Sequence, residues 1–117
     1  MTMESTQSNG TPSVEQLGEM IEYQSGAIVS RTMLKAVNGS TTLFAFDAGQ
    51  ELSEHTTPNE ALLIVIEGET LVSIRSVAHH LHVGEVITLP ANQPHAVKAE
   101  KQFKMLLIMM DLGEDTA

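Results

Sequence analysis

The chain has 117 residues, 42% of them apolar, which allows one domain with a modest core and argues against disorder. Six Lys and Arg against fifteen Asp and Glu give a net charge of −9, which repels a DNA or RNA backbone and argues against nucleic acid as a partner. There is no cysteine, so a disulfide frame, a thiolate metal site and a cysteine nucleophile are excluded; any metal must rest on His, carboxylates or water.

Residues 1–12 are polar, with Asn9-Gly10 and Pro12, and read as a disordered or loosely packed tail before a single domain over 13–117. The tail has no basic region followed by an apolar core, so no secretory signal is expected. No apolar run approaches the ~18–20 residues of a membrane-spanning helix, and the cytoplasm is the expected location. Over 13–22, Val14, Leu17 and Ile21 recur at helical spacing after Ser13, which predicts a short N-terminal helix or turn capped by that serine; Gly18 weakens it. From there the chain reads as strands: AIVSRTMLKAV, TTLFAFDA, ALLIVI, TLVSIRS, LHVGEVITLP and FKMLLIMM. Breaks are expected at 38–40, 47–50, 67–69, 76–80, 90–94 and 99–101. Short strands at this spacing, with no long helical pattern between them, predict an all-β sandwich or barrel.

ALLIVI and MLLIMM are apolar on both faces, so both faces need cover. A barrel lumen covers one. The other calls for a second layer or a second subunit, and a homodimer is expected.

Five histidines, 55, 79, 80, 82 and 95, carry most of the candidate chemistry. His55 and His95 each follow a Gly and a short extended piece and each lies near a proline. Two such segments can face each other at one end of an antiparallel barrel, where a pair of neutral imidazoles forms half of a metal site. Glu51, Glu54 and Glu60 surround His55 in sequence and read as a solvated acidic rim. In VAHHLHVG, His80 and His82 share one strand face and Leu81 and Val83 the other, so the histidine pair is expected to form a solvated strand face, although a pair at this spacing can bind Ni or Zn weakly. No nucleophile elbow and no Gly-rich phosphate loop is present.

These segments resemble the cupin superfamily, in particular its small single-domain bacterial members with the RmlC-like fold. Gly49 is followed by five residues and His55, and Glu67-Gly68-Glu69 matches the closing turn of the first cupin motif. Gly84 is followed by five residues and Pro90, with His95 in the histidine position of the second motif. The resemblance covers about 40–110 and implies a double-stranded β-helix, a jelly-roll barrel. It also implies a four-ligand metal site, and here the chain departs from the pattern. Thr57 stands where the second His belongs, Ala61 where the Glu belongs, Asn92 at the last motif Gly and Ala99 at the last Asn. Only His55 and His95 remain as ligands. Glu60 is one residue out of register, and becomes a third ligand only if a bulge over 57–59 re-aims it.

The leading expectation is a small-molecule-binding barrel with an incomplete metal site, its pocket lined by His55, Thr57, Ala61, His95 and Met105. Met109 shares the strand parity of Met105, so the pocket is apolar and adaptable behind the two imidazoles. The first alternative is a metal-dependent enzyme, dioxygenase, isomerase or lyase-like, holding Fe, Mn, Ni or Zn weakly. The second is a regulatory or sensor module acting through a protein partner.

Overall fold

The structure is a computed structural model that describes the backbone of residues 2–5 and all of residues 12–113. Ten strands are present among them: β1 (Thr2–Ser5), β2 (Ile28–Ala36), β3 (Gly39–Phe46), β4 (Glu51–His55), β5 (Glu60–Glu67), β6 (Glu69–Ile74), β7 (Val77–His82), β8 (Val86–Leu89), β9 (His95–Lys98) and β10 (Phe103–Met110). They form two sheets, one ordered β1-β2-β3-β10-β5-β8 and the other β4-β9-β6-β7. Every pairing is antiparallel except β1 with β2. This is the expected jelly-roll barrel.

Side-chain alternation sets the layers. Leu63, Val65, Phe103 and Met105 from the larger sheet meet Val72, Leu81 and Val97 from the smaller one in the main core. Phe46 and Phe103 stack at its centre, with ring centroids 4.6 Å apart. Burying a Phe or Leu side chain in this way contributes about 1.5–3 kcal/mol each. Both chain reversals of the family pattern have a backbone reason. Gly68 has φ +75°, and a Cβ there would lie 2.6 Å from the Gln102 carbonyl oxygen. Asn92, in a motif glycine position, has φ +62°, a left-handed conformation that Asn tolerates better than most residues.

Thr2–Ser5, inside the expected tail, forms a strand along β2, and residues 6–11 lie outside the described residues. The short helix or turn expected over 13–22 is present as one 3-10 turn, Leu17–Glu19, but Gln16 and not Ser13 precedes it, with no side-chain cap. Of the three spaced apolar residues only Ile21 is buried; Val14 is fully exposed and Leu17 exposed, so no apolar stripe rewards a helix. Residues 20–23 instead cross the outer face of the larger sheet. Met20, Ile21 and Tyr23 pack there on Val29, Leu43, Ala45 and Leu106, making a second small core. Lys104 fastens the crossing: its Nζ donates to the Gly18 carbonyl at 2.5 Å and lies 3.7 Å from Glu67 and 4.9 Å from the Tyr23 ring centroid. The Tyr23 hydroxyl donates to Glu67. Burial, then this carboxylate, push the phenol's pKa well above its ordinary range.

One break also moves. The reversal expected at 76–80 is a two-residue hairpin at Arg75-Ser76, φ +49° and +67°. Such a turn matches strand twist but carries neither the Asn nor the Gly that marks it in sequence. As a result Val77–His82 is a strand and not a loop.

Candidate functional site

β4 and β9 lie side by side at one end of the barrel. Leu52 pairs with Val97 and His55 with His95, so three residues of β4 span two of β9, a bulge at Ser53-Glu54. Without the bulge, strand alternation would send Leu52 inward and His55 outward. With it, both line the cavity between the sheets. The His55 and His95 rings meet edge to face, their centroids 4.4 Å apart. His55 is exposed at the mouth, whereas His95 is only 7% exposed.

Each ring is held by the same device. His55 Nδ1 is 2.8 Å from the Ser53 carbonyl oxygen and His95 Nδ1 is 3.2 Å from the Gln93 carbonyl oxygen. A carbonyl only accepts, so Nδ1 carries the proton in each ring and Nε2 keeps its lone pair while the ring is neutral. The pKa of His95 is lowered from its ordinary 6.5, chiefly by burial and to a lesser degree by His55, with the Gln93 carbonyl opposing. His95 is therefore neutral at pH 7.

The five expected pocket residues, His55, Thr57, Ala61, His95 and Met105, all line this one cavity. Leu52, Asn59, Leu89, Leu107 and Met109 join them. Alternation from Met105 points to Leu107 and Met109. Leu52 is reachable only through the bulge, which leaves no mark in the sequence. The open space is about 50 Å³, room for a few waters or a short ligand fragment. Asn59 Nδ2 donates to Met109 Sδ at 3.2 Å, the polar contact on the far wall.

Glu60 does not join the histidines. Its carboxylate accepts the Ala91 N–H at 2.7 Å, and it lines a shallow groove on the outer face instead. No bulge over 57–59 turns it inward. Thr57 Oγ1 is spent on the Asn59 backbone, at 3.2 Å to N and 3.3 Å to O. The interior thus offers two imidazoles in an otherwise apolar wall. That donor set does not fit a tightly held divalent metal, which needs a third protein ligand. Glu51 and Glu54 are exposed, as a solvated rim requires. Met110, the last residue of β10, is 43% exposed and faces out.

Residues 42–110 match the family model described as a cupin domain. The chain is a cupin. The cupin domain from Leptotrichia buccalis described as a conserved barrel protein is 41% identical, with TM-score 0.78, over 80% of this chain and 46% of that longer one. A conserved protein of unknown function from Streptococcus pyogenes is 26% identical, with TM-score 0.84, over 97% of each chain. A cupin superfamily protein from Desulfitobacterium hafniense is 26% identical, with TM-score 0.77, over 80% of this chain and 86% of that one. No curated protein matches. The family and its barrel are thereby shown, and cupin barrels host unrelated activities, so function has to be argued from the site. No helix among the described residues is long and apolar enough to cross a membrane.

Proposed function

We propose that this cupin binds a small, mostly apolar molecule through one polar or anionic head group, without an interior metal. The observation that carries it is the pairing of His55 and His95, 4.4 Å apart, at the mouth of a cavity walled by Leu89, Met105, Leu107 and Met109. Two fixed Nε2 acceptors suit a ligand hydroxyl. They also suit a carboxylic acid, whose proton passes to Nε2 so that the head group is held as a carboxylate against an imidazolium. The thioethers of Met105 and Met109 can re-pack around different short chains. A cytoplasmic location belongs to the same proposal, as does a homodimer formed through the outer face of β5, β8 and β10.

The test is a thermal-shift panel of short-chain hydroxy acids and carboxylic acids. A ligand at 100 times its Kd adds about 2.7 kcal/mol, a rise in Tm of more than ten degrees for a domain of roughly this size. The shift should vanish in His95→Ala and in the cavity-filling Leu107→Phe. A panel without any shift in wild type, or with equal shifts in both variants, would sink the proposal.

A further inference from the structure

A second imidazole pair lies outside the barrel, on the solvent face of the smaller sheet. His80 and His82 are two residues apart on β7, so both leave the same face, while Leu81 between them is buried. Their ring centroids are 4.5 Å apart. Glu69 on β6 is the cross-strand partner of His82, and its Oε1 is 3.1 Å from His80 Nε2. One donor atom from each of Glu69, His80 and His82 lies within 4.8 Å of the others, the only such group of three among the described residues.

We propose that Glu69, His80 and His82 bind a divalent transition cation, Zn²⁺ or Ni²⁺, on the outside of the barrel. Two imidazoles and a carboxylate are a donor set these borderline ions take readily. Glu85 already orients one ligand. Its Oε1 accepts the His82 backbone N–H at 2.8 Å and lies 3.3 Å from His82 Nδ1. That contact fixes the proton on Nδ1 and leaves Nε2 for the metal, an arrangement that raises ligand basicity. The proton shared by His80 Nε2 and Glu69 is the one the cation displaces. Ligand distances of about 2.0–2.2 Å require donor atoms roughly 3.3 Å apart in a tetrahedral site, and these exposed side chains reach that by small rotations. A cleft beside His80, lined also by Lys98, Glu100 and Lys101, leaves the fourth position open to water. Glu69, Glu85 and Glu100 outnumber the two lysines, and the whole chain carries −9, so the local field favours a dication.

The site is independent of the interior pocket, and one experiment separates them. Untagged protein is titrated calorimetrically with ZnCl₂ and with NiCl₂, in wild type, His80→Ala, His82→Ala, Glu69→Gln and His55→Ala. Expected is near-stoichiometric binding in wild type and in His55→Ala. Affinity should fall by at least ~10–100-fold in either β7 variant, since even partners that only orient a ligand are worth that much. Glu69→Gln should weaken binding too. The proposal is overturned if neither metal binds saturably to wild type, or if binding is lost in His55→Ala and kept in His80→Ala.

Discussion

His95 shows how one residue links the pocket to stability. Its imidazole is buried and its pKa lies below the ordinary 6.5, with burial the largest cause. Below pH 6.5 the unfolded chain takes up a proton at this ring that the native chain resists. Stability is therefore complete above about pH 6.5 and falls as pH drops toward the native pKa. Carboxylates titrate lower and also matter, so the difference between two proteins is the useful reading. In His95→Asn, whose amide can keep a bond to the Gln93 carbonyl but cannot titrate, the urea midpoint should decline less between pH 7 and 5.5 than in wild type. Parallel declines would show that burial of His95 carries no proton-linked cost.

At the scale of strands, the β4 bulge decides whether there is a site at all. His55 was recognisable in sequence from its distance to Gly49, and His95 from its distance to Gly84 and Pro90. What brings the two rings together was not. An extra residue at Ser53-Glu54 changes which face His55 takes, and nothing about Ser or Glu announces it. The same limit applied at Arg75-Ser76, where a left-handed hairpin lacks Asn and Gly, and at Glu60, whose carboxylate caps the Ala91 N–H instead of turning inward. Strands β2, β3, β5, β6 and β10 were legible because alternation and apolar runs reflect burial directly, as Leu63 and Val65 inside and Leu62 outside illustrate, whereas β4 and β9 are short and carry few apolar residues. Deleting Glu54 tests the bulge. The shortened β4 should still pair with β9, but with His55 turned to solvent. Proton NMR should then lose the nuclear Overhauser contact between the His55 and His95 rings that the wild type shows. Its persistence would mean that β4 re-forms a bulge elsewhere and that ring placement is set by the neighbouring loop.

At the scale of the molecule, the two halves of the larger sheet's outer face are treated differently. Residues 20–23 cross one half and cover Val29, Leu43 and Ala45. Nothing among the described residues crosses the other half, where Leu62, Ile108, Met110 and Thr88 line a shallow apolar groove and Val86 is 56% exposed. Each copy carries −9, so two copies repel wherever charged surfaces meet. Glu60 at the rim is the single charged residue lining this groove, which is thus where a second copy can approach at least electrostatic cost. A twofold axis through it would lay β5 and β10 of one copy on the same strands of the other, a self-complementary contact. A charge placed there must be buried unpaired or break the contact. Ile108→Glu should therefore shift the mass found by light scattering after size exclusion from dimer to monomer, with the circular dichroism of the fold retained. Leu34→Glu, at a more exposed apolar residue on β2, should leave the dimer intact. A wild type that is monomeric at high micromolar concentration would remove the dimer and leave this groove as a bare face. A dimer that survives Ile108→Glu but not Leu34→Glu would move the interface to the β2 edge.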